Sequence, residues 1–413
     1  MDAVLYLTHR IPWPPNKGDK IRSYHILRDL TRRYRVYLGT FIDDPADAAY
    51  VKELERCCAG VCVRPLSPGR AKWRALRGLL TQEPLTLPWY RDAALQRWVD
   101  RVLEQQEISR ALVFSSAMAQ YLPPRARLTR VVDFVDVDSD KWTQYAASKP
   151  WPMSAIYRRE GRQLLRYERQ VAARSEASLF VSPDEAAAFR ALAPESAERV
   201  HALNNGVDAA YFDPQHLPKK GPYPDRVQPI VFSGAMDYWP NVEAVVWFAE
   251  SVLPRIRQVH PDVRFYIVGS RPAPEVRELE RQPGVEVVGP VEDMRPWVGG
   301  AAVSVAPLRI ARGVQNKVLE AMALARPVVA SPQALEGITA VRDDEVIEAE
   351  TDPEVFARAV LQCLEQPDPE MAARARRRIT TDYDWGRNLA CLHDYLESGL
   401  AHEGEAIVSR GDA

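Results

Sequence analysis

Short β-branched runs that are apolar at nearly every position recur along this chain, separated by amphipathic stretches. VLYLTH, RVYLGTF, GVCVRPL, ALVFSS, RVVDFVDV and ASLFVS occupy the first half; PIVFSGAM, VRFYIVGS, VEVVGPV, AVSVAPL and PVVAS occupy the second. A strand wetted on one face alternates apolar and polar residues, so unbroken apolar runs predict parallel strands covered on both faces. Between the first two runs, IRSYHILRDLTRRY sets Ile21, Tyr24, Ile26, Leu27 and Leu30 near helical spacing. EAVVWFAESVLPRIRQV, APEVRELERQ and QNKVLEAMALA separate strands of the second half in the same way. Alternating strand and helix implies right-handed crossovers, hence the α/β class with a doubly wound, Rossmann-like sheet in each half.

A chain of 413 residues exceeds one ordinary core. The Pro-rich, aperiodic DAAYFDPQHLPKKGPYPDRVQP is read as the interdomain connection. The expected domains are 1–207 and 208–385, with a last helix at 386–402 packing back on the first and a frayed tail at 403–413. Two such domains facing each other leave a cleft at the carboxyl ends of their strands, where open α/β sheets bind ligands.

Hydrophobic residues at 46% and charged residues at 27% suit a globular protein, and the formal net charge of -2 argues against nucleic acid as a partner. No run approaches the length of a membrane span, and the opening MDAVLYLTHRIPWPP reads as no signal peptide. A cytoplasmic location is therefore expected. Cys57, Cys58, Cys62, Cys363 and Cys391 make an odd set that fits a reducing compartment. CCAGVC has no further ligand at metal spacing, so buried structural thiols are expected.

The stretch VSVAPLRIARGVQNKVLEAMA runs strand, loop, helix. Gly313 permits a tight turn, and the amides of about residues 314 to 317, Val314 among them, are unpaired donors at the helix start. Such an end attracts phosphate, so Arg309, Arg312 and Lys317 would gather at a polyanion. Glu320, one turn in, could accept hydrogen bonds from sugar hydroxyls. Taken singly, each could be a solvated surface charge; together with the glycine they predict a site for a diphosphate with an attached ribose.

LEAMALARPVVAS resembles the donor-site signature of family 4 glycosyltransferases, retaining enzymes of the two-domain GT-B fold. VFSGAMDYWPNVEAVVWF, FYIVGS and NNGVDAAYFDP add to the likeness. THRIPWPPNKGDKIRSYHILRDL and DFVDVDSDKWTQYA resemble a narrower subgroup, the sugar transferases of exosortase (PEP-CTERM) exopolysaccharide systems. The resemblance implies that Glu320 holds the ribose, that the backbone near Gly313 and Val314 meets the diphosphate, that Gly234 belongs to the donor site, and that no metal cofactor is needed. Four positions depart from the pattern. Arg312 stands where members carry a Glu, Ala235 and Pro240 stand where many carry an Arg and a Lys, and Ala325 stands where a glycine usually ends the helix.

On the other half, PPNKGDKIR places Gly18, with Lys17, Lys20 and Arg22, after the first strand. The resemblance puts this loop beneath the transferred sugar and phosphates. VDFVDVDSD offers Asp133, Asp136, Asp138 and Asp140, either as an Asp-x-Asp metal site or, as preferred here, with Asp136 or Asp138 contacting acceptor hydroxyls. His9 is expected to be structural. GRAKWRALRGLL (Arg70, Lys72, Trp73, Arg74, Leu76, Arg77, Leu79, Leu80) and IYRREGRQLLRYERQVAARSE are basic and amphipathic. They fit an anionic membrane surface or helices packed on their own sheet equally well.

The expected activity is transfer of a sugar from a nucleotide-sugar donor to a glycan or lipid-linked glycan acceptor with retained configuration. Lys317 and Arg312 would neutralise the leaving diphosphate, and Asp136 would serve on the acceptor side. A nucleotide-sugar epimerase and a non-catalytic sugar-nucleotide scaffold are the rival readings.

Overall fold

The computed structural model describes residues 1–15, 18–79, 81–124, 128–147, 149–218, 221–311 and 313–408, without the side chains of residues 70, 76–77 and 399–408. Lys17, Leu80 and Arg312, the side chains of Arg70, Leu76 and Arg77, and the tail beyond 408 therefore lie outside the described residues. The chain divides into two units, one formed by Met1–Asn204 with the segment from Asn388 onward, the other by Asn205–Arg387.

In the first unit, β1 (Ala3–Thr8), β2 (Arg35–Ile42), β3 (Gly60–Pro65), β4 (Arg110–Phe114), β5 (Thr129–Val135), β6 (Ala177–Phe180) and β7 (Val200–Ala202) pair in the order β3-β2-β1-β4-β5-β6-β7. Every pairing is parallel. The continuous apolar runs have the predicted cause: Val4, Leu5, Tyr6 and Leu7 on central β1 are all buried. β7 escaped the sequence reading because three residues cannot display a period. The order reverses between β1 and β4, so the loop after β1 opens at a topological switch point.

The last helix, Trp385–Val408, enters the first unit from Asn388 onward. Leu389, Leu392 and Leu396 form its buried stripe. Its polar contacts are equally specific: His393 Nε2 lies 2.6 Å from Asp29 Oδ2, Tyr34 donates to Glu397 at 2.9 Å, and the His201 and Tyr395 rings stack at 4.6 Å.

In the second unit, β8 (Gln228–Ser233), β9 (Val263–Val268), β10 (Val285–Gly289), β11 (Val303–Ala306), β12 (Val328–Ala330) and β13 (Ile347–Glu348) pair in the order β10-β9-β8-β11-β12-β13, again all parallel. Its core includes Phe232, Phe248 and Phe265. Here the switch point falls between β8 and β11. The two loops singled out for the donor, after β8 and after β11, therefore emerge side by side.

The aperiodic segment after Asn205 is stitched to the second unit. Val207 donates to Tyr383 O at 2.7 Å, the Arg295 guanidinium lies 3.8 Å over the Tyr211 ring, and Arg376 Nη2 pairs with Asp213 at 3.2 Å. Lack of periodicity here reflects point contacts by single side chains. The departure at Ala325 is also explained. It adopts φ +52, its N–H donates to Met322 O at 3.0 Å, and Arg326 N–H donates to Ala321 O at 3.0 Å. The left-handed helix cap is complete with alanine in the glycine place, at a backbone cost of up to roughly 1 kcal/mol.

Candidate active site

At the second switch point the two glycines of the FSG and VGS motifs bring two loops into direct backbone contact. A Cβ on Gly269 would lie 1.6 Å from Gly234 O, and one on Gly234 would lie 2.8 Å from Asn241 Nδ2. Gly234 N–H donates to Val268 O at 3.1 Å, and Gly269 N–H to Gly289 O at 2.8 Å. The helix after β8, Trp239–Trp247, starts with Pro240 in its first turn, where a missing N–H costs nothing. Asn241 follows it and is buried. Its Nδ2 donates to Ala235 O at 2.9 Å, closing the loop.

Asn241 also reaches the other loop. Lys317 Nζ donates to Asn241 Oδ1 at 2.7 Å and sits 4.7 Å over the Phe232 ring. Lys317 lies in the first turn of the Asn316–Ala323 helix, which Gly313 introduces with φ +62. Gln315 Nε2 bonds Gly313 O at 3.1 Å and so braces the turn. The Val314 and Lys317 amides donate to no acceptor among the described residues, and Asn316 Oδ1 is buried there without a partner. The macrodipole and these free donors make this end of the helix electropositive.

Burial pulls the Lys317 ammonium down to about 8, with Glu320 opposing the shift, and pushes the Glu320 carboxyl up to about 7, with Lys317 opposing that. The Glu320 carboxylate has no hydrogen-bond or ion-pair partner among the described residues, its backbone carbonyl accepting from Leu324 N–H at 3.1 Å. A bound diphosphate favours the charged lysine. Above about pH 8, where free Lys317 is increasingly neutral, binding must therefore take up a proton, and affinity falls as pH rises. Near pH 8.5, titration calorimetry in buffers of different ionisation enthalpy should show net proton uptake with nucleoside diphosphate. Lys317→Ala should abolish that uptake.

Arg309 is engaged elsewhere than the sequence suggested. Arg309 is exposed, paired with Glu243, and stacked 6.0 Å over the Trp247 ring. Glu243, one turn along the Trp239–Trp247 helix, supplies a carboxylate within the unit that satisfies the guanidinium. Arg312 lies outside the described residues. Asn241 and Glu243 were not singled out from the sequence. The available signal was their place in the first turns of the helix that follows β8.

The first unit corrects the reading of PPNKGDKIR. Gly18 opens the Gly18–Leu30 helix. Lys20 does not offer its charge to a phosphate: it is buried, and Nζ pairs with Asp47 Oδ2 at 2.6 Å. Arg22 is 1% exposed and grips Asp133, itself 0% exposed, through Nε at 2.7 Å and Nη2 at 3.1 Å, with Nη1 on Leu203 O at 2.7 Å. Both cations are fasteners, since a charge this deep persists only with a partner. His9 stacks on Phe114 at 5.7 Å and lies 3.5 Å from Asp19 Oδ2.

Asp136 and Asp138 both face Lys141, at 2.7 and 3.1 Å. Lys141, which the sequence reading passed over, already neutralises the pair, and its own acidity is weakened by their charges. Asp136 Oδ1 is left without a partner among the described residues. Among those residues no group of three His, Cys, Asp or Glu side chains is placed to hold a metal.

Comparison with known proteins bears on the same region. Residues 228–366 match the family Glycosyl transferases group 1. A phosphatidyl-myo-inositol mannosyltransferase from Propionibacterium freudenreichii subsp. shermanii is 28% identical over 141 residues, covering 33% of this chain; the match spans about a third (35%) of that relative's length. Sucrose-phosphate synthase from Thermosynechococcus elongatus superposes with a TM-score of 0.68 at 15% identity, covering 99% of this chain and 100% of that one. Anabaena HepE in complex with UDP-glucose gives 0.64 at 16% identity, covering 96% and 100%. The architecture is thus the GT-B fold, and the described loops after β8 and β11 lie within the matched segment.

Proposed function

We propose that this chain, whose residues 228–366 match the glycosyl transferases group 1 family, is a retaining glycosyltransferase using a nucleotide-sugar donor and a glycan or lipid-linked glycan acceptor. The observation that carries this reading is Lys317. Its ammonium is held by Asn241 beside Gly234, at the start of a helix with unpaired amides, at the switch point of a parallel sheet. Such an arrangement suits the diphosphate of a leaving nucleotide. As the bond from the sugar's anomeric carbon to the phosphate oxygen breaks, charge grows on the diphosphate, and Lys317 and the helix amides would neutralise it. The acceptor hydroxyl then attacks the same face, a donor phosphate oxygen takes its proton, and Glu320 holds the ribose. Asp136, with Oδ1 still free of partners among the described residues, would accept from an acceptor hydroxyl. The HepE complex with UDP-glucose supports a uridine nucleotide as the first donor to try. No metal is required in this scheme.

The test is transfer in EDTA from a panel of nucleotide-sugars to a glycan acceptor, with proton NMR of the product's anomeric signal. Nucleoside diphosphate released only when acceptor is present, with a retained anomer, is the expected outcome. An inverted product overturns the mechanism. Loss of activity restored by manganese revives the carboxylates of the first unit as ligands, and binding without turnover favours the scaffold reading.

We further propose that the first unit docks on an anionic leaflet, which fits a lipid-linked acceptor and a role in exopolysaccharide assembly. Arg158, Arg162, Arg166 and Arg169 share the exposed face of the Met153–Ala172 helix. Arg162 and Arg166 line a groove beside it, together with Arg169, which pairs with Glu195 at 2.7 Å. Trp151, just before this helix, is 81% exposed and Trp73 is 74% exposed. Exposed tryptophan beside arginine suits a headgroup layer. Among the described residues no helix is long and apolar enough to cross a membrane. The full-length protein should sediment with anionic vesicles at low salt and be released by salt; failure to sediment at low salt ends this part of the reading.

A further inference from the structure

We propose that Cys57 and Cys58 form a peroxide-reactive vicinal dithiol, with Cys57 as the nucleophile and Cys58 as the thiol that closes the disulfide. The sequence reading expected buried structural thiols, and for this pair the structure differs. Cys57 is the last residue of the exposed-faced helix Val51–Cys57 and is itself exposed. Its Sγ lies 3.8 Å from that of Cys58, which is half-buried and held in place by its own N–H on Leu54 O at 2.9 Å.

The two thiols are differentiated as the chemistry requires. The hydrogen bond with Cys58 brings Cys57 down to about 7, against desolvation and the nearby Glu53. Cys58 moves the other way, through the same hydrogen bond and through its burial. The remaining cysteines lack this combination: burial raises Cys62 and Cys391, and pushes Cys363 up to about 12. An accessible thiolate beside a resolving thiol is the arrangement of oxidant-sensitive cysteines.

The reaction balances with a hydroperoxide as the oxidant. The Cys57 thiolate attacks one peroxide oxygen; an S–O bond forms, the O–O bond breaks, and the second oxygen leaves as hydroxide or alkoxide. Sulfur is thereby oxidised to a sulfenic acid. Cys58 then gives up its proton and attacks that sulfur; the S–S bond forms, the S–O bond breaks, and water leaves. Two thiols and one peroxide become a disulfide, one water and one alcohol or second water. A dithiol such as dithiothreitol reverses the modification.

The test uses the full-length protein with hydrogen peroxide near pH 7, followed by alkylation, digestion and mass spectrometry of the peptide spanning residues 57–64. The expected product is a Cys57–Cys58 disulfide, lighter by two hydrogens and restored by dithiothreitol. Cys58→Ser should accumulate a sulfenic acid at Cys57 that dimedone traps, Cys57→Ser should show neither product, and Cys62→Ser should still form the disulfide. Alkylation of Cys57 no faster than of Cys62, or a disulfide that joins either thiol to Cys62, would overturn the proposal. Circular dichroism confirming that each serine variant is folded keeps these outcomes decisive.

Discussion

Replacing Lys317 with alanine should weaken nucleoside-diphosphate binding by about 1.5 to 3 kcal/mol, roughly 10- to 150-fold in Kd. The loss has two sources. The ammonium supplies charge-assisted hydrogen bonds to phosphate oxygens, and it is the cation the described site turns inward, since Arg309 is taken by Glu243. Asn241→Ala should reproduce a smaller part of the loss, because the charge remains while its orientation and the bond to Ala235 O are lost. Glu320→Ala should hurt nucleoside diphosphate more than inorganic diphosphate, which has no ribose. Calorimetry decides all three. Unchanged affinity in a folded Lys317 variant would remove that residue from the site, and equal losses for both ligands would contradict the role given to Glu320.

The second large effect is on stability. Asp133→Ala should destabilise the first unit by about 3 to 5 kcal/mol, because it leaves the Arg22 guanidinium buried without its counter-charge. Asp133 Oδ1 also accepts from Val135 N–H at 3.2 Å, where the chain bends through φ +70, so the turn leading to Asp136 loosens as well. Guanidinium denaturation followed by the signal of the first unit measures the cost. The opposite pattern, an intact fold with lost diphosphate binding, would return Arg22 to the phosphate role suggested by its place after Gly18.

The α/β class, the strands long enough to show their pattern and the parallel character of both sheets were legible in the order of residues. Those properties follow from local periodicity: a strand buried on both faces must be apolar throughout, whatever it packs against. The turn and helix start at 313–320 were legible too, since a glycine turn and the free amides after it are properties of consecutive residues.

The partner of each charge became visible only in the folded chain. Lys20, Arg22 and Lys317 look alike in sequence, each a cation beside a glycine-containing loop. Asp47 and Asp133, 27 and 111 residues away, bury the first two, while Lys317 meets a neutral amide on the helix after β8 and so keeps its charge uncompensated by an ion pair. Arg309 pairs with Glu243, and Lys141 takes Asp138 and one oxygen of Asp136. Charge pairing acts through space at a few ångströms and is indifferent to separation along the chain. A sequence therefore shows which groups can carry charge, and the fold decides which of them remains available to a substrate.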